Sequence, residues 1–163
     1  MEGFRNVLVP VDFSGLSEPA LDAAVRILAP DGKATLLHVV EWLPVVTEGA
    51  FGVYPHRKEL EQIKALSHEK LEAMAAERLP VRIQARVGEG RPASIILGVA
   101  EALEPDLIVI GSHGRSGLDH FLIGSVAERV IRKSRTAILV VRACEGNLQE
   151  GFKRLHGDGA PRR

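Results

Sequence analysis

Five short apolar runs, spaced by longer stretches of helical period, constrain this 163-residue chain more than any other feature. The runs fall at residues 6–11, 33–41, 81–87, 106–110 and 136–141, each of strand length and rich in Val, Ile and Leu. The first, Asn6-Val7-Leu8-Val9-Pro10-Val11, is almost wholly apolar, as is Leu107-Ile108-Val109-Ile110. Such runs suit strands covered on both faces. Only Val81, Ile83, Ala85 and Val87 alternate strictly with polar residues, which marks a strand with one wet face at a sheet edge.

The intervening segments read as helices. Ser17-Glu18-Pro19 has the form of an N-cap with proline in the first turn, and Pro30-Asp31-Gly32 stops that helix. Residues 56–78 place Leu60, Ile63, Leu71 and Met74 on one side. Pro92 opens a third helix, and Ser125-Val126-Ala127-Glu128 has the spacing of a capping box. Five strands and four helices in alternation imply an α/β fold: one doubly wound, five-stranded parallel sheet with helices on both faces. Right-handed crossovers and the wet third strand favour the order 3-2-1-4-5. The domain is expected over residues 1–144, with a polar, poorly ordered tail over 145–163.

Composition narrows the function. Lys and Arg number 21, as do Asp and Glu, so net charge gives no case for nucleic acid or an anionic membrane. The single cysteine, Cys144, excludes an internal disulfide. No apolar run is long enough to span a bilayer and no signal peptide is visible, so the expectation is a cytoplasmic protein.

In the order 3-2-1-4-5 the first and fourth strands are neighbours whose outgoing connections go to opposite faces. The crevice beyond their carboxyl ends is where open α/β sheets bind ligands. The fourth strand runs into Gly111-Ser112-His113-Gly114-Arg115 and on to Gly124-Ser125. Gly111 and Gly114 let backbone N–H groups approach a phosphate, and the helix start at Gly124 and Ser125 favours an anion. Asp12 lies just past the first strand, across the crevice, where a carboxylate accepts hydrogen bonds from ribose hydroxyls. These residues converge on a nucleotide with its phosphates over the 111–125 loop.

Other signals weigh less. Gly88-Glu89-Gly90-Arg91-Pro92-Ala93 fits a dinucleotide fingerprint, but it follows the edge strand and Pro92 already accounts for the helix start. No phosphate loop with Gly-Lys-[Ser/Thr] occurs. Ser112, His113 and Asp119 are too close in sequence for a hydrolase triad, and His113, Asp119 and His120 lack a recognised metal spacing. No catalytic residue and no protein metal ligand is assigned. His38 is expected to be a hydrogen-bonded core histidine.

Gly-x2-Gly-x9-Gly-Ser, formed by Gly111, Gly114, Gly124 and Ser125, resembles the ATP-binding signature of the universal stress protein family. Val9-Pro10-Val11-Asp12-Phe13-Ser14, Leu37-His38-Val39-Val40 and Gly124-Ser125-Val126-Ala127-Glu128 are similar to further family segments. The resemblance spans residues 4–142. It implies a homodimeric, ATP-binding regulatory module of the stress response, with Mg2+ or Mn2+ accompanying the phosphates. Carried over by position, Pro10, Asp12 and Val39 would hold adenine and ribose. Gly111, Gly114, Gly124, Ser125 and Val126 would hold the phosphates. Val11, Ser112, His113 and Arg115 complete the candidate set. The alternatives are a slow ATP hydrolase at the same site and a nucleotide-independent interaction protein. Ala137–Val141, an edge run with neither charge nor proline, is the expected dimer contact.

Overall fold

A computed structural model describes residues 3–41, 57–78, 80–112 and 123–142. Its elements follow in the order β1 (Phe4–Val11), α1 (Ser17–Ile27), β2 (Leu28–Val40), α2 (Arg57–Ala76), β3 (Arg82–Glu89), α3 (Pro92–Leu103), β4 (Leu107–Gly111), α4 (Ser125–Lys133) and β5 (Ala137–Val141). The five strands form one parallel sheet in the order β3-β2-β1-β4-β5, as the alternation of runs predicts. The 42–56 connection and the segment from 143 onward lie outside the described residues.

Strand periodicity divides the core in two. Val7, Val9 and Val11 of β1 and Leu36 of β2 point to the face covered by α1 and α2, where Leu21, Ala24 and Leu71 meet them. Leu8, Leu37, Val39, Ile108 and Ile110 point the other way, against Ile96 of α3 and Val130 of α4. β3 is the wet edge: Arg82, Gln84 and Arg86 are exposed while Ile83, Ala85 and Val87 are half-buried.

Some local expectations are corrected. α1 ends at Ile27 rather than at Pro30; Leu28 already has ψ 142°. Ala29, the residue before Pro30, is disfavoured from helix by the proline ring, so the chain extends early. β2 therefore begins at Leu28, with an irregularity in its pairing to β1 between Phe4 and Asn6. In α2, Leu71 and Met74 are buried as expected, but Ile63 is 45% exposed. Gly88 and Gly90 also have structural explanations. A Cβ on Gly88 would lie 2.6 Å from Ile95 Cγ2, and Gly90 turns the chain at φ 126°. Close packing of α3 on β3 and a tight turn thus account for the Gly-x-Gly pattern.

Two polar clamps fix the layers. At the amino edge of the sheet, Asp106 Oδ2 accepts the N–H groups of Arg5 (2.8 Å) and Asn6 (2.9 Å). The Asp106 N–H donates to Asn6 O (2.8 Å), and Asn6 Nδ2 donates to Leu103 O (2.8 Å). Together they lock the start of β1 to the start of β4, which sets their register. Asp106→Ala is expected to lower stability by about 1–3 kcal/mol, because two backbone donors lose a charged acceptor. The readout is a lower urea midpoint at unchanged m-value.

The second clamp joins the helices of one face. Arg78, just beyond α2, donates through Nε (3.0 Å) and Nη2 (2.9 Å) to Asp22, through Nη2 to Glu18, and through Nη1 to Met74 O (2.9 Å). Burial works against its charge, but the bonds to Asp22 and Glu18 outweigh that and raise its pKa above the ordinary value.

Candidate functional site

β1 and β4 are adjacent, with Val7 opposite Leu107 and Leu8 opposite Ile108. Because the two strands are parallel neighbours, their carboxyl ends, which lead into Asp12 and Ser112, lie at the same end of the sheet. The segments on which the nucleotide reading depends, a hundred residues apart in sequence, therefore leave the sheet at one end.

Past β1 the chain turns sharply. Phe13 has φ 60°, an uncommon conformation for a bulky residue. The turn brings the Ser14 N–H back onto Asp12 Oδ1 at 3.0 Å. Ser17 Oγ donates to the same oxygen at 3.1 Å. The expected N-cap role of Ser17 is thereby corrected: Leu16 is the N-cap and offers no side-chain bond, α1 starts at Ser17 itself, and the Ser17 hydroxyl is engaged by Asp12. The Phe13 ring lies 4.4 Å from that of His38, and Lys70 Nζ sits 5.3 Å from the Phe13 centroid. His38 Nδ1 donates to Val11 O at 2.8 Å, consistent with its expected hydrogen-bonded role.

Past β4, Ser112 acts through its backbone. Its N–H donates to Val141 O (2.7 Å) and its carbonyl accepts the Gly124 N–H (2.7 Å). Ser112 is buried. It joins the ends of β4 and β5 to the start of α4, which carries Gly124 and Ser125 to the mouth of the sheet. Gly124, with φ −63° and ψ 150°, is the N-cap, and the first intrahelical bond runs from Glu128 N–H to Gly124 O (2.9 Å). The expected capping box is corrected here: Ser125 is the first helical residue, and Glu128 pairs instead with Arg132 at 3.5 Å. With Gly124 pinned by Ser112, the N-cap position has no side chain to offer. The N–H groups of Ser125, Val126 and Ala127 open the helix without a side-chain cap, at the positive end of its dipole.

The other candidates distribute as follows. Pro10 is half-buried near the end of β1, and Val39 is nearly buried in the core that α3 and α4 cover. By strand alternation Pro10 shares that face with Leu8. Val11 points into the opposite core, and its carbonyl accepts the His38 Nδ1–H. Gly111 ends β4, paired with Val141. His113, Gly114 and Arg115 lie outside the described residues. Sequence reasoning did not anticipate Phe13, Ser14 and Ser17 as the supports of Asp12. An Asp whose side chain bonds the N–H two residues on is an Asx-turn, and Asp12-Phe13-Ser14 carried that signal.

Among the described residues no group of three or more His, Cys, Asp or Glu side chains could hold a metal. At the opposite, amino end of the sheet lies an open hollow of about 430 Å³ flanked by Arg5, Asp31 and Asp106. No described helix is long and apolar enough to cross a membrane.

The family model described as "Universal stress protein family" matches residues 3–142. The chain belongs to that family. Universal stress protein MJ0531 of Methanocaldococcus jannaschii is 34% identical over 140 residues, covering 85% of this chain and 82% of that protein. The solved structure of MJ0577, from the same organism, superposes with a TM-score of 0.72 at 29% identity, over 87% of this chain and 98% of that one. A universal stress protein solved in complex with cAMP gives a TM-score of 0.60 at 25% identity, over 86% and 98% of the two chains. The five-stranded architecture and the family resemblance read from the sequence are both borne out by these comparisons.

Proposed function

We propose that this universal stress protein binds ATP in the crevice between the ends of β1 and β4 and acts as a homodimeric regulatory module. The observation that carries the reading is that Asp12, just past β1, and the start of α4, bonded through Gly124 to Ser112 just past β4, follow the carboxyl ends of two adjacent parallel strands. Adenine and ribose would lie against Pro10, Asp12 and Val39. The phosphates would lie over the N–H groups of Ser125, Val126 and Ala127, where an anion gains most from the helix end, with Gly111 and Gly114 completing the set. The relative solved with cAMP supports an adenine nucleotide as the ligand class. Mg2+ or Mn2+, with its preference for oxygen donors, would be carried chiefly by phosphate oxygens.

The dimer would form through β5. It is the outermost strand beside β4, and Leu139 stands 37% exposed on it. An uncharged edge of this kind pairs readily with a second copy.

ATP with Mg2+ at a hundredfold excess over Kd is expected to stabilise the protein by about 2.7 kcal/mol. For a chain of this size that is a rise in melting temperature of roughly 5–10 °C. Denaturing freshly purified protein and weighing any released ligand identifies the nucleotide, and sedimentation of the same sample reads the dimer. No thermal shift with millimolar ATP, or recovery of a nicotinamide or flavin, contradicts the reading.

A further inference from the structure

Asp12 is held in a particular way. Both of its hydrogen bonds from described residues, the Ser14 N–H at 3.0 Å and Ser17 Oγ at 3.1 Å, converge on Oδ1. A carboxylate anchored through one oxygen cannot rotate freely about its terminal torsion, so the other oxygen keeps one direction. Ser17 is the side chain that completes this anchor. It is buried, and it sits in the first turn of α1, where a serine would ordinarily serve the helix. Its hydroxyl instead spans five positions back to Asp12.

We infer that Ser17 is a positioning residue for ribose recognition: it fixes the Asp12 carboxylate through Oδ1 so that Oδ2 is presented to the ribose hydroxyls. The inference rests on the nucleotide reading above and deepens it. Ser17 has no contact with the ligand in this account and acts only through Asp12. Without its hydroxyl, Oδ1 keeps, among the described residues, the Ser14 N–H, and the carboxylate gains orientations in which neither oxygen meets the sugar. The loss then falls on interactions with ribose hydroxyls and leaves base and phosphate contacts intact.

The test compares ATP with 2′,3′-dideoxy-ATP, which lacks the hydroxyls Asp12 would hold, by titration calorimetry on full-length protein. Wild type is expected to prefer ATP by about ten- to a hundredfold, the range of a hydrogen bond to a charged group. Ser17→Ala is expected to reduce that preference by about three- to tenfold, because the Asp12 bond to ribose is weakened rather than removed. Its affinity for the dideoxy analogue should stay within twofold of wild type. Ser17→Gly also removes the hydroxyl and reads the same ratio should the alanine variant not yield folded protein. Ser14→Ala is the control: Ser14 serves Asp12 through its N–H, while its buried Oγ has no partner among the described residues. It should keep the wild-type preference.

A Ser17→Ala preference equal to that of wild type overturns the inference. So does an equal loss of affinity for both nucleotides, or an equal loss of preference in Ser14→Ala, since either marks a general loosening of the turn. A wild type that binds no ATP, or does not distinguish the two nucleotides, overturns instead the reading on which the inference rests.

Discussion

Gly124→Asp is expected to raise the melting temperature of the nucleotide-free protein while abolishing the further rise produced by ATP. The two effects have one cause and opposite signs. Gly124 is the N-cap of α4 with φ −63° and ψ 150°, an extended conformation that aspartate adopts without strain. Its carboxylate would accept a first-turn N–H and face the positive end of the helix dipole. The dipole contribution is about 0.3–1 kcal/mol, and a cap over glycine adds a few tenths. The same carboxylate occupies the position proposed for phosphate. A like charge ~5 Å from a phosphate oxygen is unfavourable by about 3 kcal/mol at an effective dielectric of ~20, more than a hundredfold in affinity. Gly124→Ser separates charge from capping, since it caps with no charge and should weaken ATP less. Thermal melts with and without ATP read both effects. An aspartate variant that still gains the full ATP shift would show that α4 does not carry the phosphates.

Leu8→Ala is expected to lower unfolding free energy by about 2–5 kcal/mol, a large share of the roughly 5–15 kcal/mol that a domain has in total. Leu8 is fully buried at the middle of β1, opposite Ile108 of β4 and in the core formed with Leu37 and Ile96. Truncation removes apolar burial and leaves a cavity where strand and helix layers meet, with backbone on both sides that cannot collapse to fill it. Leu66→Ala is the matched control. Leu66 is 58% exposed on α2, and its loss should change stability by no more than about 0.5 kcal/mol. Urea denaturation of the two variants checks the contrast. Equal effects would contradict the division of the core described here.

The sheet was legible because its order follows from patterning that needs no tertiary knowledge. Continuous apolar runs at β1 and β4 demanded cover on both faces, and the alternation Arg82, Gln84, Arg86 against Ile83, Ala85, Val87 demanded an edge. The switch point then followed from the crossover rule, and with it the exit of the Asp12 and Gly111 segments at one end of the sheet. Hydroxyl partners were not legible. Ser17 and Ser125 both carried N-cap signals, yet Ser17 bonds Asp12 and Ser125 lies inside α4. A serine chooses between a helix N–H and a nearby carboxylate according to what the fold brings within reach, and local sequence holds no record of that choice. Phe13 at φ 60° was hidden for a related reason: propensity argues against a bulky residue there, and tertiary packing against His38, Lys70 and the core beneath α1 and α2 supports it.

The central claim is that one nucleotide touches both chain segments at the carboxyl end of the sheet. Titrating isotope-labelled protein with ATP and Mg2+ while following backbone amide resonances tests it most directly. The account predicts saturable shifts at Asp12, Ser125, Val126 and Ala127 that share a single Kd, with Arg5, Asp31 and Asp106 at the opposite end unmoved. Shifts confined to the hollow beside Arg5, or an Asp12 resonance unchanged at saturation, would contradict it.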